Sequence, residues 1–175
     1  MMLRFSNRQG YVEEEKMAQE IERKFLIEEN EAWRSVGGLH YRQGYLCNSV
    51  ERTVRVRTAG DKASLTIKGK TEGATRLEFE YEIPFEQAGE LLENLCQGPL
   101  IEKKRRQVEY EGTCWEVDEF FGDNEGLIVA EVELESEDQQ FASPPWLSRE
   151  VTDDPRYYNA NLVKRPYRHW SEDNS

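Results

Sequence analysis

The chain has 175 residues, and its 35 Asp and Glu outnumber 23 Lys and Arg, for a formal net charge of −12. That length suits one domain with a real hydrophobic core, while the acidic excess argues against a general nucleic-acid coat, which needs a basic surface. No apolar run approaches the roughly 20 residues of a membrane-spanning helix, and 7 Phe, 8 Tyr and 4 Trp argue against disorder.

Residues 1–16 show no clear period and read as an N-terminal extension, expected to be disordered, ahead of a second candidate start at Met17. A single domain is expected over 17–170, with a polar tail at 171–175. Strands are predicted at Glu20–Ile27, His40–Cys47, Glu51–Thr58, Ala63–Gly69 and Arg76–Pro84. Three more are predicted at Leu100–Glu111, Thr113–Phe121 and Leu127–Glu135. Their separators carry turn residues, such as Ala59-Gly60-Asp61, Glu111-Gly112 and Gly122-Asp123-Asn124. Short separators favour antiparallel neighbours. A helix is predicted over Phe85–Leu95, where Phe85, Ala88, Leu91, Leu92 and Leu95 recur at helical spacing between Pro84 and Gly98-Pro99. Shorter helices are predicted at Trp146–Glu150 and Pro155–Leu162. The pattern implies an α+β fold dominated by one antiparallel sheet.

Cys47, Cys96 and Cys114 stand far apart with no CxxC pair. An odd number of lone thiols without an export-signal pattern reads as reduced, buried cysteines of a cytoplasmic protein.

Side chains on a strand alternate between faces, so i, i+2 and i+4 share one face. Glu20, Glu22 and Lys24 then oppose Ile21, Phe25 and Ile27. Arg55 and Arg57 alternate with Val54 and Val56, and Thr66 and Lys68 with Leu65 and Ile67. Glu78, Glu80 and Glu82 alternate with Leu77, Phe79, Tyr81 and Ile83. Lys103 and Arg105 share a face, as do Glu116 and Asp118, and Glu131 and Glu133. For one strand alone, a solvated face explains such a pattern. Across the sheet, like-charged neighbours only about 6.5–7 Å apart repel unless opposite charge lies between them. Carboxylate pairs invite divalent cations, and Arg/Lys pairs invite a polyanion. A shared interior holding a metal-chelated polyphosphate would satisfy both, with the apolar face turned outward and covered by helices.

Glu20-Ile21-Glu22-Arg23-Lys24 is an ExExK pattern, and Arg55-Val56-Arg57, Leu65-Thr66-Ile67-Lys68-Gly69 and Glu78-Phe79-Glu80-Tyr81-Glu82 follow it in order. Glu102-Lys103-Lys104-Arg105, Trp115-Glu116-Val117-Asp118 and Ala130-Glu131-Val132-Glu133-Leu134 complete the series. Together these motifs resemble the CYTH superfamily, the triphosphate tunnel metalloenzymes. The resemblance implies a closed eight-stranded antiparallel β-barrel, a tunnel with helices packed outside, and a small-molecule triphosphate substrate bound with Mg²⁺ or Mn²⁺. It implies phosphate binding by Lys24, Arg55, Arg57, Lys68, Lys103 and Arg105, and metal binding by Glu20, Glu22, Asp118, Glu131 and Glu133. Glu78, Glu80, Lys68 and Tyr45 are the candidate catalytic residues. The activity this implies is hydrolysis of inorganic triphosphate to pyrophosphate and phosphate, by a monomer or homodimer. Thiamine triphosphatase, nucleoside triphosphatase and class IV-type adenylate cyclase are the alternatives within the family. A polyphosphate-binding module without turnover is the alternative outside enzymes.

Overall fold

The computed structural model describes residues 21–28, 31–70, 77–136 and 138–174, so the expected extension 1–16 and Glu20 lie outside the described residues. Among the described residues, nine strands form. The first five are β1 (Ile21–Ile27), β2 (Gly38–Asn48), β3 (Arg52–Ala59), β4 (Lys62–Gly69) and β5 (Glu78–Glu82). The others are β6 (Gln97–Tyr110), β7 (Thr113–Phe121), β8 (Ile128–Leu134) and β9 (Leu147–Glu150). Eight of them fall where alternation and turn residues place strands. Between β6 and β7, Glu111 and Gly112 both take positive φ (45° and 79°), giving the tight type I′ hairpin that matches strand twist.

All the strands join one antiparallel sheet in the order β5-β4-β3-β2-β6-β7-β8-β1-β9. This corrects the expected closed eight-stranded barrel: the sheet has nine strands and is open, with β5 and β9 as its two edges. The physical reason is local to β1, which pairs with β8 on one side and with β9 on the other. Its second edge is therefore taken, and the short β5 finds no partner there. The segment read as a helix at Trp146–Glu150 supplies that ninth strand.

Helical cover is also slighter than expected. Among the described residues it consists of α1 (Phe85–Asn94) and the four-residue α2 (Asn159–Leu162), with 3-10 turns at Glu31–Ser35, Gly122–Asn124, Pro155–Tyr157 and Tyr167–Asn174. Tyr158 is extended (φ −76°, ψ 132°), which breaks the helix expected over Pro155–Leu162 in two. No helix among the described residues is long and apolar enough to cross a membrane.

On the outer face, α1 buries Ala88 and Leu92 against Val56 and Ala63. Farther along, Trp33 and Trp146 cover Phe25, Trp115, Val117, Ala130 and Val132, with Trp115 edge-on to Phe25 at 5.7 Å and to Trp146 at 5.9 Å. Helices thus cover only part of the apolar face, and Phe79 and Tyr81 on β5 remain about half exposed. A third cluster closes one end of the inner face, where Tyr45, Ile101, Phe120 and Val129 pack under Tyr157, Leu162 and Val163. All three cysteines are free, but Cys114 is exposed and does not fill a core.

Candidate active site

The inward rows of the strands surround one cavity of about 600 Å³. Side chains from β1, β2, β3, β4, β5, β6 and β8 reach it, together with Thr152, Tyr158 and Asn159 from the segment after β9. The charges therefore converge as alternation requires, although the sheet does not close.

One wall is built by β1, β6, β7 and β8. Lys24 stands opposite Glu131 in the β1–β8 register, and its Nζ donates to Glu131 Oε1 and Glu22 Oε2, both at 2.6 Å. Arg105 stands opposite Asp118 and donates to it from Nε at 2.7 Å and from Nη2 at 2.6 Å. The same Nη2 reaches Glu131 Oε2 at 2.5 Å, and Nη1 pairs with Glu116. Lys103 Nζ donates to Asp118. Lys103 is 3% exposed and Asp118 fully buried, so this pairing lies deep in the protein.

The facing wall is built by β3, β4 and β5, and its contacts are looser. Lys68 pairs with Glu78 at 2.8 Å, but Arg57 lies 3.5 Å and Arg55 3.8 Å from Glu80. Thr66 links the row, donating to Glu80 Oε2 at 2.8 Å and accepting from Arg55 Nη2 at 3.2 Å. Arg55 Nε is buried with no hydrogen-bond partner among the described residues.

Between the walls, β2 contributes a neutral row of Tyr41, Gln43 and Tyr45. The Tyr41 ring lies 5.8 Å from Arg57 Cζ, 6.0 Å from Lys103 Nζ and 5.7 Å from Arg105 Cζ, where its π-face attracts all three cations. Between Gln43 and Tyr45, on the other face of the strand, a Cβ at Gly44 would come within 2.7 Å of Leu100 Cδ2 and Cys96 Sγ, so both neighbours would have to shift.

Burial and this charge pattern shift several ionisations. Burial, reinforced by the Glu131 charge, raises the Glu22 carboxyl to about 7 despite Lys24. Burial alone would also raise Glu131, but Lys103, Lys24 and Arg105 outweigh it and hold that carboxyl far below its ordinary value. For Lys24, burial is overcome by Glu131 and Glu22, and its value rises. Lys103 is lowered by burial against the pull of Asp118, and Arg55 is lowered by burial and by the neighbouring Arg57. One carboxylate of the Glu22–Glu131 pair is therefore firmly ionised while the other gains from an added cation.

The cavity brings together all six residues implicated in phosphate binding, Lys24, Arg55, Arg57, Lys68, Lys103 and Arg105, and the four candidate catalytic residues Tyr45, Lys68, Glu78 and Glu80. Of the implicated metal ligands, Glu22 and Glu131 line it. Asp118 is engaged behind the lining by Lys103 and Arg105. Glu133 is exposed on the strand beyond Glu131, and Glu20 lies outside the described residues. Tyr41, Gln43, Thr152 and Asn159 were not anticipated, since neutral side chains leave no charge pattern. For Tyr41 and Gln43 the signal available was their parity with Tyr45 along β2.

No three His, Cys, Asp or Glu side chains among the described residues gather into an all-protein metal cage. The donor set nevertheless fits a hard divalent cation. Mg²⁺ is commonly held by one or two carboxylates, with phosphate oxygens and water completing its shell. Glu22 and Glu131, meeting at Lys24, offer such a pair.

The CYTH domain family matches residues 18–167. Over 157 residues the chain is 52% identical to an inorganic triphosphatase of Acetivibrio thermocellus, covering 89% of this chain and 100% of that protein. It is 39% identical over 151 residues to an inorganic triphosphatase of Nitrosomonas europaea, covering 82% of this chain and 96% of that one. The crystal structure of an inorganic triphosphatase superposes with a TM-score of 0.63 at 34% identity, over 82% of this chain and 93% of that one.

Proposed function

Because the chain belongs to the CYTH domain family, we propose that it is an inorganic triphosphatase, hydrolysing triphosphate to pyrophosphate and phosphate. The observation that carries this reading is the cavity itself: six cationic side chains face carboxylates within about 600 Å³. A linear polyanion would be held along its whole length by such a lining. The arginines suit phosphate oxygens as bidentate forks, and the lysines act as compact point charges.

In this reading Lys24, Lys103 and Arg105 grip one end of the substrate, and Arg55, Arg57 and Lys68 the other. Asp118 positions Lys103 and Arg105 from behind. Tyr45 and Lys68 select the end that is attacked, and Glu78 or Glu80 orients the attacking water and accepts its proton. The preset cations then stabilise charge on the departing phosphate without reorganising, a large electrostatic contribution in a site of this kind. Glu22 and Glu131 would hold Mg²⁺ or Mn²⁺, which when bound neutralises phosphate charge and acidifies a coordinated water.

Phosphate release from inorganic triphosphate, ATP and thiamine triphosphate, measured with Mg²⁺, with Mn²⁺ and with chelator, tests this directly. The expected result is the highest kcat/KM for inorganic triphosphate and loss of turnover with chelator. Cyclic nucleotide formed from ATP, or no hydrolysis of triphosphate, would overturn it.

A further inference from the structure

Strand β2 runs between two cationic strands. On one side β3 presents Arg55 and Arg57, and on the other β6 presents Lys103 and Arg105. In the ladders Gln43 stands opposite Arg57 on β3 and Ile101 on β6. Gln43 is 1% exposed yet lines the cavity. Its Nε2 has no hydrogen-bond partner among the described residues.

A buried amide donor without an acceptor destabilises a fold, so its retention needs a cause. The flanking cations cannot supply an acceptor, because guanidinium and ammonium groups only donate. Because Gln43 lines the cavity, an oxygen of a ligand bound there can supply the acceptor. A second buried donor lining the same cavity, Arg55 Nε, is also unpartnered among the described residues, and Arg55 sits opposite Tyr45, two positions along β2 from Gln43. The neutral amide has a further advantage at this place. Three cations already crowd the Tyr41 ring, and a fourth positive charge on β2 would repel them, whereas a carboxylate would repel the polyanion.

We propose that Gln43 is a phosphate-binding residue of this site, its Nε2 donating to a non-bridging oxygen of the substrate beside Arg55 Nε. The assignment rests on the triphosphate reading and adds a neutral contact to an otherwise ionic set. Gln43 supplies direction more than attraction: the amide proton favours one oxygen position, where the surrounding cations tolerate several.

The test compares parent protein, Gln43→Met and Gln43→Glu. Three quantities are measured: calorimetric binding of inorganic triphosphate to chelator-treated protein, ligand-free Tm, and kcat and KM for triphosphate hydrolysis. Methionine keeps the length of the side chain and removes the donor. Its expected effect is weaker triphosphate binding, by about tenfold or more, with ligand-free Tm unchanged or higher because no donor is left unsatisfied. Glutamate keeps the shape and replaces the donor with a charge, so binding should fall further. It carries the test alone if Gln43→Met does not fold. Binding equal to the parent in the glutamate variant, or a lowered ligand-free Tm in the methionine variant with unchanged affinity, overturns the assignment. If the parent itself neither binds nor hydrolyses triphosphate, the functional reading falls and the Gln43 assignment falls with it.

Discussion

The two walls of the cavity carry the same residue types but differ in how completely their charges are paired. On the wall of β1, β6, β7 and β8, Lys24 and Arg105 reach their carboxylates at 2.5–2.7 Å. On the wall of β3, β4 and β5, Arg57 and Arg55 lie 3.5 and 3.8 Å from Glu80, whose side chain is 45% exposed. Burial of the carboxylates explains the contrast: the Arg55 and Arg105 side chains are almost equally buried, at 16% and 15% exposed, but Asp118 is fully buried where Glu80 is open to water. A charge taken out of water needs close partners or it destabilises the fold, so Lys103, Asp118 and Arg105 lock onto one another. Exposed pairs are screened and gain little from tight geometry. Identical chemistry therefore gives one wall a tightly paired, buried charged framework and leaves the guanidinium groups of the other only loosely paired.

The comparison breaks most severely at Asp118. Asp118→Ala strips the buried Lys103 of its carboxylate and is expected to cost about 3–5 kcal/mol of stability, read from urea unfolding. A loss below about 1 kcal/mol would show that the deep wall is no framework. The opposite signature is expected on the looser wall. Arg55→Met removes a guanidinium whose ionisation burial already disfavours, and exchanging a poorly paired buried charge for an apolar side chain should leave stability unchanged or higher. Steady-state kinetics should nonetheless show kcat/KM for triphosphate falling by on the order of a hundredfold. Parallel losses of stability and activity in both variants would erase the distinction.

The smallest expected effect sharpens the boundary between the walls. The Glu22 carboxyl is raised from 4.5 to about 7 by burial and by Glu131, so between these values the folded protein binds more protons than the unfolded chain. Stability from this group is fully present below about pH 4.5 and lost as pH rises through about 7. Unfolding midpoints across that window, with chelator present, should decline in the parent and decline less in Glu22→Gln. Matching profiles would show that Glu22 does not report the Glu131 charge.

The strands and their facing were legible in the sequence because pleating is local. Alternation alone shows that Glu78, Glu80 and Glu82 on β5 share a face, as do Lys103 and Arg105 on β6, and like charges repeated on several strands point that face inward. The six cations of the cavity followed from that parity. Gln43 and Tyr41 carry no charge for alternation to reveal, and parity does not show the depth at which Asp118 lies. Its capture by Lys103 and Arg105 depends on burial, which only packing sets.

Taken alone, the amino-acid order determined where strands lie, which side chains share a face and which charges must meet, since these depend on backbone geometry over a few residues. Tertiary structure decided that Leu147–Glu150 becomes a strand, that it takes the second edge of β1, and that the sheet stays open. It also decided which ion pairs are buried and which remain available. Those outcomes depend on partners far apart in the chain, on backbone hydrogen bonds across strand edges and on the loss of water around charges, none of which a local pattern contains.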